Sequence, residues 1–171
     1  MFPGEGLLTP PTSTLNTMRK RTIRKRWALI NPIEYAIKGA CITTREELDK
    51  LLLRELAALD SLVKGHGTLS DWQDINAANN LCQTMAEMGI GPEAIPTTKA
   101  VEEALIDAAR RFERTRKMGL TGTGIQAIRD MLEYHDLQRQ SVSRSQYENA
   151  IRLVTAHIKS GHSVKAIEDV I

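Results

Sequence analysis

From Thr44 onward, apolar residues recur at steps of three and four, and the chain reads as a series of amphipathic helices divided by short polar turns. The first stripe is Leu48, Leu52, Leu56, Leu59 and Val63, and the second is Trp72, Ile75, Ala78, Cys82 and Met85. Val101, Ala104, Leu105, Ala108 and Phe112 form the third, followed by Ile125, Ile128, Met131 and Leu132. Tyr147, Ala150, Ile151, Val154 and Ile158 make the fifth. The spacing predicts helices over 45–64, 71–88, 98–117, 124–139 and 144–160.

Start and stop signals bracket each stripe. Thr44 with Glu47, Ser70 with Gln73, Thr123 with Gln126 and Ser143 with Gln146 all fit a capping box. There the hydroxyl accepts from the amide three residues on, and the longer side chain bonds back to the cap amide. Gly65, Gly89, Gly119 and Gly161 stand where a left-handed residue closes a helix. Pro92 and Pro96 make 90–97 a loop with room for one turn. Asn31, Pro32 and Gly39 suit the start and end of a short helix, and Ser163 to Ile171 reads as another. The helix starts recur without matching residues, so there is no tandem repeat. Short connections between amphipathic helices imply an all-α fold, an antiparallel bundle of about five main helices plus short terminal ones.

Composition agrees. Ala, Leu, Glu, Arg, Lys and Gln dominate, only 4% of the 171 residues are aromatic, and the length suffices for one core without a disulfide or metal. Cys41 and Cys82 lack metal-ligand spacing, and the reading favours two reduced, buried thiols over a disulfide. No stretch reaches the ~20 apolar residues of a membrane span, and no secretory signal opens the chain. The expected setting is the cytoplasm.

Charge changes the picture. The net charge of +2 hides a segregation, because Arg19, Lys20, Arg21, Arg24, Lys25 and Arg26 form a basic run with no acidic residue in it, ending at Trp27. From Trp27 to Ile171 there are 17 basic and 20 acidic side chains, a weakly acidic body. Three parts follow: a disordered leader over 1–17, a basic arm over 18–30, and a single helical-bundle domain over 31–171. Met18 stands as a candidate alternative start. The arm suits DNA or RNA, its cations neutralising phosphates and Trp27 stacking on a base. An acidic protein surface, or a solvated tail with no partner, fits the same residues.

Two further clusters bear on anions. Arg110, Arg111, Arg114, Arg116 and Lys117 close the third helix, and "GLTGTG" at 119–124 opens the next. Arg114, Lys117, Thr123 and Gly124 are therefore a candidate anion site, with helix amides facing the cations. The competing reading is an interhelical turn whose cations offset the helix dipole. The turn at Ser141-Val142-Ser143 resembles the corner of a helix-turn-helix and places Arg144 and Arg152 on the second helix, within reach of a nucleic acid. The reading favours an ordinary bundle corner, since Asp136, Gln138 and Arg139 fit such a motif poorly.

No catalytic residues, metal ligands or cofactor motif emerge. His135-Asp136 lacks companion ligands, and no nucleophile or dinucleotide fingerprint is present. Leu51, Leu53 and Ile106 lie off the stripes and are candidates for a protein partner or a homodimer contact.

The stretches "MRKRTIRKRWALINPIEYAIKGA", "MGIGPEAI" and "LEYHDLQRQSVSRSQYE" resemble a family of small uncharacterised proteins of bacterial genomes, phages and mobile elements. The resemblance spans residues 18 to about 160. It implies a bacterial cytoplasm and an accessory or regulatory role, and no activity or site residue comes with it. Two expectations result: a nucleic-acid-associated regulatory protein acting through its arm, or a protein-binding helical adaptor or inhibitor without nucleic-acid activity.

Overall fold

The computed structural model describes residues 33, 37, 39–41 and 43–160. The chain divides between Ile30 and Asn31, and all described residues belong to the second unit. The leader, the basic arm with Trp27, and the C-terminal segment beyond Ser160 lie outside the described residues, as does Gly161.

Among the described residues, five α-helices have both ends defined: α1 (Arg45–Val63), α2 (Leu69–Glu87), α3 (Ile95–Thr115), α4 (Gly122–Ser141) and α5 (Arg144–Lys159). The short 3-10 turn Pro92–Ala94 leads into α3. The fold is an all-α helical bundle, and among the described residues the only β-type pairing is an isolated antiparallel bridge between Gly67 and Met118. No described helix is long and apolar enough to cross a membrane.

Two of the four expected capping boxes form as read. Thr44 and Glu47 exchange bonds at the start of α1, and Ser143 and Gln146 do so at α5. At α2 the box lies two residues earlier. The Thr68 amide donates to Asp71 Oδ2 at 2.8 Å, so a carboxylate takes the place that Gln73 was expected to fill. Leu69 and Ser70 consequently join the helix. At α4 the cap is Thr121, whose Oγ1 accepts from the Gly124 amide at 3.1 Å, and Gly122 and Thr123 lie in the first turn. Helix α3 begins at Ile95 because Pro96 needs no amide partner in a first turn.

Gly65 and Gly89 close α1 and α2 in left-handed conformations, φ 73° and 85°. Gly119 does not close α3. That position falls to Arg116, φ 57°, whose amide bonds to Phe112 O at 2.7 Å.

Helix α2 is central and packs against each of the other four. Its expected stripe, Trp72 to Met85, is buried throughout. Trp72 Nε1 donates to Leu105 O at 3.0 Å and Asn79 Nδ2 to Thr98 O at 3.2 Å, so two side chains of α2 fasten α3 through its backbone. The main core gathers Leu59, Leu62, Ile75, Val101, Leu105, Ile128 and Met131 among others. A smaller core of Met85, Val142 and Ala150 seats α5.

Helices α3 and α4 approach closely. A Cβ placed on Gly124 would come within 2.9 Å of Ala104 Cβ, closer than real carbon pairs sit, so glycine is required there by packing.

The α1 stripe is rotated from its expected phase. Leu48 and Leu59 are buried as read, but Leu56 and Val63 are over 40% exposed, and Glu55, Ala58 and Leu62 occupy the interior. The rotation brings Glu55 to Arg139. Cys82 is buried as expected, whereas Cys41 is exposed, because it lies ahead of α1 and outside both cores.

Candidate functional site

The interior stripe of α4 does not stop at Leu132. Continued at the same three- and four-residue steps it reaches His135, Gln138 and Arg139, all buried. These polar residues build a seam through the middle of the bundle.

Arg139 is 1% exposed, and its guanidinium donates from both terminal nitrogens to Glu55 of α1, at 2.8 Å and 2.9 Å. The paired geometry matches the planar fork to the carboxylate. Gln138 Nε2 donates to Cys82 O at 3.1 Å and to Ile90 O at 2.7 Å, closing the backbone around the α2–α3 connection. With its amide so committed, Gln138 turns its Oε1 toward His135 Nδ1, 3.4 Å away. That arrangement assigns the donor role to Nδ1–H and leaves Nε2 the acceptor. Two atoms of the seam, His135 Nε2 and Arg139 Nε, have no hydrogen-bond partner among the described residues, nor does Asn79 Oδ1 elsewhere in α2.

Burial first, and the neighbouring Arg139 charge second, push the His135 pKa down to about 3, so the imidazole is neutral at ordinary pH. Burial likewise pushes the Cys82 thiol up to about 12. The Glu55 carboxyl is raised by burial, opposed by the bonds from Arg139. Tyr147 of α5 is raised by burial as well, and its ring lies 6.5 Å from that of His135. A neutral imidazole, a protonated thiol and a sealed ion pair present no reactive group to solvent. The seam links α4 to α1 through Glu55, to α2 through the Cys82 carbonyl and to α5 beside Tyr147.

The surface carries what can meet a partner. Arg144 and Arg152 both lie on the exposed side of α5, about 12 Å apart along its axis. Each has a neighbour on the same helix, Arg144 Nε with Glu148 at 3.1 Å and Arg152 with Asn149 Oδ1 at 2.9 Å. Of the candidate anion site, Arg114, Lys117 and Thr123 are exposed and Gly124 is buried. Its amide already bonds to Thr121 Oγ1, and Thr123 Oγ1 lies 3.1 Å from the same oxygen. The Gly124 amide thus serves the cap, while Arg111 lies beside Gly119 and Arg116 rests over the Phe112 ring.

Helix α5 is held by its first half. Ala150 is fully buried, and Tyr147 and Val154 are half-buried, yet residues 155–160 are all exposed. Ile151 and Ile158, two turns apart on one stripe, are 43% and 52% exposed. On α1, Leu51 and Leu53 are exposed as the off-stripe reading anticipates, Leu53 at 65%, whereas Ile106 of α3 is half-buried.

Among the described residues, no group of three His, Cys, Asp or Glu side chains stands close enough to hold a metal. No protein-family model, curated protein or solved structure matches the chain.

Proposed function

We propose that the chain is a cytoplasmic, helical docking module of accessory or regulatory type, which binds a protein partner through the open face of α5. One observation carries the reading. The amphipathic stripe of α5 is packed at Tyr147 and Ala150 and then runs on uncovered through Ile151 and Ile158. A helix that keeps an apolar stripe in solvent gains from a second surface that covers it. The exposed Leu51 and Leu53 of α1 add apolar area to the same molecule.

The test compares the full chain with Ile151→Asp and Ile158→Asp in proximity crosslinking from position 155. Both side chains are substantially exposed, so the variants are expected to keep the wild-type melting temperature. A partner crosslinked by the wild type and lost in both variants supports the reading; an identical set of crosslinks rejects it.

A second reading has its own support in the charge segregation along the sequence. Six basic residues and Trp27 in one run suit phosphate-driven association with DNA or RNA. Replacing Arg19, Lys20, Arg21, Arg24, Lys25 and Arg26 with glutamine in the full chain is then expected to abolish binding of random duplex and single-stranded probes at low salt. Undiminished anisotropy would reject the arm as the contact, and Arg144 and Arg152 would become the residues to replace next.

A further inference from the structure

The outer sides of α3 and α4 enclose a shallow cavity of about 370 Å³, lined by Thr97, Asp130, Glu133, Tyr134 and Leu137. Its character is mixed in a specific way. Tyr134 is half-buried and packs against the main core, while Leu137, 63% exposed, is the large apolar side chain that α4 leaves in solvent. Beside them stand two carboxylates with little to neutralise them. The Glu133 carboxylate has no hydrogen bond or ion pair among the described residues, and the Asp130 carboxylate accepts only from the amide of Gln126, at 2.7 Å.

Asp130, Tyr134 and Leu137 follow one another at four- and three-residue steps on a single face of α4, about 10 Å from end to end. We propose that this groove docks a cationic amphipathic segment of a partner protein, an apolar side chain seated against Tyr134 and Leu137 and lysine or arginine side chains against Asp130 and Glu133. The charge pattern selects the ligand. A nucleic acid or an acidic peptide would set its own anions beside two carboxylates, whereas a basic segment exchanges weakly paired charges for complementary ones. A helical ligand matches the groove when its apolar anchor and its basic residues lie one to two turns apart. This surface is separate from the open face of α5, and either can fail without the other.

The experiment titrates the full-length protein into a fluorescein-labelled helical peptide of leucine and lysine, with a leucine–glutamate peptide of the same pattern as comparison. The lysine peptide is expected to bind at low salt and to weaken as salt screens the carboxylates. Leu137→Asp is expected to reduce affinity about tenfold or more, as loss of a central anchor does. The paired replacement Asp130→Lys with Glu133→Lys should do the same. These side chains lie at the surface, and unchanged melting temperatures would show that the variants fold. Ile158→Asp, on α5, is expected to bind like the wild type. Amide shifts confined to Thr97 and residues 130–137 would place the peptide in the groove. Equal binding of the glutamate peptide, no binding of the lysine peptide, or undiminished affinity in the groove variants would overturn the proposal. Loss of binding in Ile158→Asp alone would overturn it as well and direct the peptide to α5.

Discussion

Arg139 of α4 and Glu55 of α1, 84 residues apart in sequence, meet inside the bundle through two hydrogen bonds of 2.8 Å and 2.9 Å. The pair is sealed from water on the arginine side, so each partner leaves a buried charge behind if the other is removed. Arg139→Met and Glu55→Leu are each expected to destabilise the fold by about 3–5 kcal/mol, whereas the double variant recovers most of that loss. Urea unfolding of the four proteins gives the coupling directly. Additive losses would show that the two side chains act independently.

The neutral state of His135 makes the fold sensitive to acid. Its folded-state pKa, about 3, lies below the ordinary 6.5, so the unfolded chain takes up a proton that the folded chain refuses. The corresponding stability is complete above about pH 6.5 and falls as the pH drops toward 3, at about 1.4 kcal/mol per pH unit. Glu55 acts in the opposite sense. Its carboxyl is raised above 4.5, so just above that pH it contributes less as the pH rises. In His135→Gln the first slope vanishes and the second stays. Unfolding curves between pH 4 and 7 are expected to show a steeper acid loss in the wild type than in the variant, and parallel slopes would refute the assignment.

The two thiols should behave differently. Cys41 is exposed, its Sγ donating to Ile37 O at 3.3 Å, while Cys82 is fully buried with its thiol pushed up to about 12. The thiolate is the reactive form, so Cys82 is protected both sterically and chemically. A chromogenic disulfide reagent at pH 8 is expected to titrate one thiol rapidly in the native protein and two in denaturant. Two rapid equivalents in the native state would contradict the burial of Cys82.

Arg116 holds a left-handed conformation that costs a side-chain-bearing residue about 1–2 kcal/mol. Its guanidinium offsets part of this by resting 5.9 Å from the centroid of the exposed-side ring of Phe112. Arg116→Ala discards the contact and keeps the strain, whereas Arg116→Gly removes both. Melting temperatures are therefore expected to rank glycine above alanine by about 2–4 °C, with arginine between them or level with glycine. Alanine equal to glycine would mean that the turn relaxes elsewhere.

The helices were legible because their periodicity and most of their punctuation are local properties of the chain. The α2 stripe, the Thr44 and Ser143 caps and the glycines at 65 and 89 stand where the sequence places them. The misplaced boundaries have local causes too. Asp71 is a stronger capping partner for Thr68 than Gln73 is for Ser70, and Arg116 takes a conformation usually left to glycine. The seam was harder to see because its residues are polar, and a search for apolar stripes ends at Leu132. Its signal lay in the spacing: His135, Gln138 and Arg139 continue the α4 phase. What spacing does not reveal is the partner, since Glu55 becomes interior only when α1 turns to meet Arg139. The groove at Tyr134 and Leu137 was equally hidden, because concavity arises between two helices and belongs to neither sequence alone.

The bridge between Gly67 and Met118 ties the turn after α1 to the turn after α3. A Cβ on Gly67 would lie 2.5 Å from a Leu62 methyl, so the tie exists only because that turn presses bare backbone against the core. Two helical hairpins, α1–α2 and α3–α4, are thereby stitched at one pole of the bundle.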